Sequence, residues 1–204
     1  VIDTTFLYGV LYITQKEGEP PMTHKRYRIA KATHGSQEWL NQRYEDEQGN
    51  RRISASAAAA IYGVHPFVKQ DQYAAELLSG VAPTPIPPNA AMETGNRLED
   101  TIIQWAGDRL GIKFTTPDEL FCYDDDNGTH LISTLDGWNE ETSHILEVKT
   151  TSREYSGTLP DYWRIQGVQQ AICSDATRVT WAIVDNTLRL TRVEQNVTEE
   201  EKQE

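Results

Sequence analysis

The sequence predicts a mixed α/β domain, a central mixed β-sheet flanked by helices, and three observations carry that reading. Residues 90–110 place apolar side chains at helical spacing. Short strand-like segments then crowd residues 112–149. A second helical pattern begins near residue 160 and leads into another strand pair over 179–193. Helices, then strands, then a helix and strands again is the order of a sheet with helices packed on it. With 204 residues, one hydrophobic core with elaborations is expected rather than two small domains.

Along the chain, residues 1–34 read as an N-terminal extension: a strand over 5–14, a loop at Gly18, Pro20 and Pro21, then a basic stretch. A single domain is expected over 35–194. Ser36 caps a helix that carries Trp39, Leu40 and Arg43. The alanines at 57–60 continue to Ile61 and Tyr62 in a second helix, with Ser54 or Ser56 at its start and Gly63 near its end. A third short helix spans 73–78, and the proline-rich 81–89 connects it onward. In the long helix 90–110, Leu98, Ile102, Trp105 and Ala106 form the apolar stripe. Glu99 lies beside that stripe, so its carboxylate can point toward the core-facing surface. Gly111 stops the helix. Strands are expected at 112–115, 119–123, 129–134 and 144–149, with DDDNG at 124–128 as a turn. Within HILEVKT, strand alternation puts Ile145, Glu147 and Lys149 on one face and Leu146 and Val148 on the other. The helix from Pro160 carries Tyr162, Trp163, Ile165, Gln166, Val168, Gln169 and Ile172. A hairpin over 179–193 follows, and 195–204 read as a disordered acidic tail.

Composition narrows the function classes. No apolar run approaches the roughly twenty residues of a membrane span, and the opening segment lacks a secretory pattern. An intracellular location, the host cytoplasm if the chain is viral, is the expectation. Two cysteines are too few for a disulfide scaffold, a four-thiolate zinc site or a cysteine-ligated cluster, so Cys122 and Cys173 read as buried free thiols. The five histidines are scattered, so any metal must be held mainly by oxygen. The net charge of -12 argues against tight nonspecific nucleic-acid binding, although basic residues gather at 25–31 and at Arg51 and Arg52.

Chemistry is concentrated at Asp136 and at Glu147-Val148-Lys149. A turn at Gly137 and Asn139 to Thr142 returns the chain, bringing the aspartate of one strand end near the glutamate and lysine of the next. Two carboxylates and the Val148 carbonyl suit a hard divalent ion, Mg2+ with Mn2+ as a substitute. Such an ion serves phosphodiester hydrolysis, with Lys149 orienting or helping to deprotonate the attacking water. On spacing alone, Asp136 also fits a turn residue, and Glu147 and Lys149 a surface pair. Glu99 before this segment and Gln166 after it extend the constellation.

An ordered series of motifs resembles the YqaJ-type viral recombinase family, whose relatives include the phage lambda exonuclease, within the PD-(D/E)XK nuclease superfamily. The series runs through GSQEWLNQR (35–43), ISASAAAAIYG (53–63), NAAMETGNRLE (89–99), STLDGW (133–138), ILEVKTTSR (145–153) and YWRIQGVQQ (162–170). The resemblance implies a restriction-endonuclease-like fold. It implies that Asp136 and Glu147 hold the metal, that Lys149 serves the water, that Glu99 assists the ion or its waters, and that Gln166 is the family's helix glutamine. Leu135 stands where the motif usually has proline. Trp163 stands at an active-site edge position usually filled by tyrosine. Arg43 is the position implied to contact a terminal 5′ phosphate, with Ser56, Thr134 and Arg153 completing the anion pocket. Physical chemistry agrees, since a guanidinium and hydroxyls bind phosphate oxygens well. Trp39, Trp105, Trp138 and Trp181 read as core or pocket-wall residues.

The expected activity is magnesium-dependent 5′→3′ degradation of double-stranded DNA, leaving 3′ overhangs for recombination. The alternatives are a structure-specific endonuclease and a noncatalytic DNA-binding or phage-assembly protein. A cluster-bearing nuclease is disfavoured by the cysteine count. The resemblance also implies 5′-phosphorylated duplex ends as substrate, a homotrimer around DNA and a single-strand annealing protein as partner.

Overall fold

The computed structural model describes residues 4–7, 10–13 and 23–203, with side chains described from residue 23 onward. In chain order, an antiparallel pair β1 (Thr4–Leu7) and β2 (Val10–Ile13) precedes β3 (His24–Ala30), α1 (Gln37–Tyr44), β4 (Ile53–Ser54), α2 (Ala58–Ile61) and α3 (Gln70–Leu78). The long helix α4 (Ala90–Leu110) leads to β5 (Glu119–Asp125), β6 (His130–Ser133), β7 (Gly137–Asn139) and β8 (His144–Thr150). Helix α5 (Asp161–Ser174) and the hairpin β9 (Arg178–Val184) and β10 (Leu190–Asn196) follow.

The fold is mixed α/β: β1 and β2 form a two-stranded sheet, and the other eight strands divide between two four-stranded sheets ordered β10-β9-β8-β7 and β3-β5-β6-β4. Each is mixed: β8 runs parallel to β9 and β4 parallel to β6, while their other pairings are antiparallel. Helix α5 packs where both sheets meet. Its Ala171 and Cys173 join Phe121, Trp138, Ile145, Val179, Trp181 and Ile183 in one core. Helix α4 covers the opposite face of the first sheet, burying Ile102, Ile103 and Ala106 against Leu146, Ala182 and Val184.

Local chemistry fixes the helix ends. The Ser36 hydroxyl accepts from the Trp39 N–H at 3.1 Å, as expected for α1. Asn89 does the same for Met92 at the start of α4, and Gly111 closes that helix at φ 67°. Ala57 rather than a serine begins α2, with no side-chain cap.

Several expectations shift. The strand expected over 5–14 is the pair β1 and β2, while the loop expected at 18–21 lies outside the described residues. The basic stretch assigned to the extension forms β3 and pairs along its whole length with β5. The strand expected at 112–115 is reduced to a bridge between Thr115 and Trp138. Of the turn expected at Gly137 and at 139–142, Gly137 instead begins the short strand β7, while the second part is present, with Asn139 Oδ1 accepting from the Thr142 N–H and hydroxyl. Strand β10 runs to Asn196, and the Thr198 N–H beyond it donates to Glu201. The thiols of Cys122 and Cys173 are free and buried. Asp125 Oδ1 accepts from the Asn127 and Thr129 N–H groups, making 124–128 the expected turn. Among the described residues no helix is long and apolar enough to cross a membrane.

Candidate active site

Strand β8 alternates as its sequence requires. Leu146 and Val148 face α4, while Ile145, Glu147 and Lys149 face α5. Its neighbour β7 is so short that pairing ends at Gly137 with Leu146, leaving the edge of β8 beyond that point without a strand. Asp136, immediately before β7, occupies this edge: its Oδ2 accepts from the Val148 N–H at 2.8 Å. In an extended strand a residue's N–H and C=O leave on the same side, so the Val148 carbonyl emerges at the same edge.

Glu147 is only 3% exposed, and its carboxylate is held from three directions. Oε1 accepts from Lys149 Nζ at 2.8 Å and from Gln166 Nε2 at 2.5 Å, while Oε2 accepts from Gln170 Nε2 at 2.6 Å. Lys149 Nζ also donates to Gln166 Oε1 at 3.2 Å. Gln166 and Gln170 are four residues apart, hence on one face of α5. The sequence reading singled out Gln166 and missed Gln170; the helical spacing from Gln166 was the available signal. Trp163 stacks on Trp181 with centroids 5.8 Å apart, and Lys149 Nζ lies 6.0 Å from its ring, so Trp163 does border the site.

The charges are crowded. Burial, then repulsion from Glu147 and Glu99, holds the Asp136 carboxyl well above its ordinary pKa. Glu99 is raised by burial and by Glu147 and Asp100, which places the α4 carboxylate beside the other two. Burial disfavours the Lys149 ammonium, but Glu147 and Asp136 outweigh it and raise its pKa, so Lys149 keeps its proton. Lys31, which the sequence reading did not single out, adds a second favourable charge near Glu99 while donating to the Pro117 carbonyl at 2.8 Å.

Oxygen donors suit a hard cation here. Asp136 Oδ1 receives no hydrogen bond among the described residues and Glu147 Oε2 has one donor, leaving lone pairs on both. Gln170 Oε1 and the Thr134 hydroxyl are buried without hydrogen-bond partners among the described residues, the first on the side chain that donates to Glu147. Among the described residues, no group of three or more His, Cys, Asp or Glu side chains is already gathered as a ligand cage.

Arg43 and Ser56 come together away from this centre. Arg43 Nη2 donates to Ser56 Oγ at 2.7 Å, and the guanidinium stacks 4.3 Å from the Trp39 centroid. They line a cavity of about 220 Å³ with Tyr73, Ser54 and Arg52. Burial lowers the Arg43 pKa to about 10. Nearby Glu45 pairs with Arg51. Parallel pairing of Ser54 with Ile132 points Ser56 and Thr134 toward one end of β4 and β6, and the Thr134 carbonyl accepts from Gln170 at 3.2 Å. The structure does not bring Arg153 into contact with Arg43 or Ser56. Its exposed side chain lies in the loop after β8, where only its backbone bonds, to Thr151. The four-residue α2 has too few aligned peptides for a substantial dipole, so the positive charge of this pocket comes from Arg43 and Arg52, with Glu76 also on its lining.

Comparison with known proteins agrees with this architecture. The YqaJ-like viral recombinase domain matches residues 38–177. The fold resembles an alkaline exonuclease, LHK-Exo, from Laribacter hongkongensis, with TM-score 0.60, 18% identity and coverage of 81% of this chain and 84% of that one. Its complex with dAMP gives TM-score 0.61 at 18% identity, covering 81% and 85%. A phage-related exonuclease from Haemophilus somnus 129PT gives TM-score 0.54 at 16% identity, covering 74% and 87%. At these identities the likeness is one of fold. No curated protein matches.

Proposed function

The chain belongs to the YqaJ-like viral recombinase domain family, and on that premise we propose that it is a magnesium-dependent DNA exonuclease that degrades duplex DNA 5′→3′ and leaves 3′ overhangs. The observation that carries this reading is the β8 edge. There Asp136 takes the Val148 N–H at the edge from which the Val148 carbonyl also emerges, and Lys149 is held between Glu147 and Gln166, with Glu99 on α4. Asp136, Glu147 and Val148 would hold a divalent ion, Mg2+ or in its place Mn2+, with Glu99 assisting through its waters. When bound, such an ion stabilises charge on phosphoryl oxygens and makes water a better nucleophile.

The protein's own groups do the rest. Gln166 and Gln170 fix the Glu147 carboxylate, so its oxygens need little reorganisation during the reaction. Lys149 retains its proton and donates, so it orients the attacking water or a phosphate oxygen. Arg43, with Ser56 and Thr134, binds a terminal 5′ phosphate, whose extra charge and oxygens distinguish an end from an internal phosphodiester. Arg153 joins that pocket only if the loop after β8 closes on the DNA. Trp163 walls the site. The same reading includes a homotrimer around DNA and a single-strand annealing protein as partner; light scattering across concentration tests the first.

The deciding experiment incubates 5′-labelled and 3′-labelled duplexes with Mg2+, then with a chelator. Early release of the 5′ label and protection of the 3′ strand, abolished by chelation and by Asp136→Asn, Glu147→Gln or Lys149→Ala, is the expected result. Undiminished cleavage by folded variants removes these residues from the chemistry. No cleavage by the wild type removes the enzyme.

A further inference from the structure

A row of aromatic rings runs from the protein surface to the site. Phe67 is 86% exposed, yet its loop is not loose: His65 Nδ1 accepts from the Phe67 N–H at 3.2 Å and the Val68 N–H at 3.0 Å. The imidazole thereby pins the turn that presents the phenyl ring. The His65 centroid lies 6.1 Å from Phe67 and 6.4 Å from Tyr162. Tyr162 lies 5.7 Å from Trp163, above which Lys149 stands. Tyr155, in the loop after β8, lies 6.2 Å from Trp163.

Cations, and the acids Glu154 and Asp161, lie close in sequence to the same rings. Lys69 comes two residues after Phe67, Arg164 directly after Trp163, and Arg153 two residues before Tyr155. None of these three has an ion-pair partner among the described residues. Cations without ion-pair partners that are close in sequence to exposed or half-buried rings suit an anionic, ring-bearing ligand. Unpaired nucleotides are that ligand: bases stack on aromatic faces while cations follow the phosphates.

We infer that Phe67, His65, Tyr162 and Trp163 form a stacking track for unpaired bases of a single DNA strand, leading to or from the Asp136/Glu147 centre. The inference rests on the nuclease reading for the direction and purpose of the track, but binding can be measured without cleavage. A rigid ring at the outer end positions the strand a few nucleotides from the reacting phosphate. A flat ring face also accepts any base, giving tolerance of sequence.

The test uses a fluorescein-labelled twelve-nucleotide oligothymidylate in chelator, an abasic strand of equal length, and wild-type, Phe67→Ala, Phe67→Leu and Phe67→Trp proteins. Loss of one stacked base predicts roughly tenfold weaker oligothymidylate binding for Phe67→Ala. Leucine should fail to rescue and tryptophan should restore, while the abasic strand should be indifferent to all three changes. Unchanged oligothymidylate affinity overturns the track and leaves Phe67 as a contact for another protein. An equal loss on the abasic strand overturns stacking as well. Cleavage of a labelled duplex by wild type with Mg2+ is measured in parallel. Ring-dependent binding without cleavage supports the track and retracts the nuclease, and cleavage with ring-independent binding does the reverse.

Discussion

Replacing Gln170 by leucine removes a fully buried amide whose Nε2 donates to Glu147 Oε2 at 2.6 Å and to the Thr134 carbonyl at 3.2 Å. The first bond is charge-assisted, in the class worth about 1.5–3 kcal/mol, and its loss leaves a carboxylate oxygen in the interior without that donor. A cost near 2 kcal/mol in a chain of this size lowers Tm by about 4–8 °C. Thermal and urea unfolding of wild type, Gln170→Leu, Glu147→Gln and the double variant measure it. Neutralising Glu147 reduces the bond to an ordinary one, so Gln170→Leu should cost about 1 kcal/mol less in the Glu147→Gln background. That coupling exceeds the 0.3–0.5 kcal/mol scatter of independent sites, roughly. Strict additivity, or a Tm change below about 2 °C, would refute the claim that Gln170 holds the Glu147 carboxylate.

Arg43→Ala should slow degradation of a 5′-phosphorylated duplex more than that of a 5′-hydroxyl duplex, and Arg43→Lys should recover only part of the difference, because charge returns without the planar fork. Equal slowing on both ends refutes the pocket. Asp185 accepts from the Thr187 hydroxyl and N–H and from the Tyr155 N–H, and these bonds depress its pKa to about 2. Its folded pKa is thus below the unfolded value, so its stabilisation is present above the ordinary carboxylate range and is lost as pH falls toward 2. Asp185→Asn should therefore lower Tm at pH 7, with the gap closing in acid; a gap independent of pH is the contrary result. A Cβ on Gly107 would lie 2.7 Å from the Ile112 carbonyl oxygen, a backbone atom with little freedom to retreat. Gly107→Ala should then destabilise by about 1–3 kcal/mol in urea unfolding despite alanine's better helix propensity.

The sequence made visible what local chemistry dictates. Ser36 caps α1, Gly111 ends α4, and the alternation of β8 separates Glu147 and Lys149 from Leu146 and Val148, because each depends on a few neighbouring residues. Glu99, Asp136, Glu147, Lys149 and Gln166 lie on separate elements, and it was the resemblance of the ordered motifs, rather than local chemistry, that gathered them into one constellation. Nonlocal facts escaped. Nothing near residues 24–30 announces a partner about a hundred residues away in β5. Strand β7 is too short for alternation, and Gly137 looked like a turn because its packing partners, Leu146 and Phe114, are brought there by other elements. Gln170 was passed over because a glutamine on a helix usually faces water, and only packing against β8 buries it. Ser56 makes no helix cap, while its meeting with Arg43 is the one the motif resemblance implied.

The brevity of β7 has a consequence for insertions. Had it continued two residues alongside β8, backbone amides would fill the edge from which the Val148 N–H reaches Asp136. The candidate centre therefore occupies an unfinished seam in the sheet. Lengthening the connection at residues 134–136 would be better tolerated if the added residues looped outward than if they extended the ladder. Zipping the seam shut would make a more regular sheet while displacing the groups that give it chemistry.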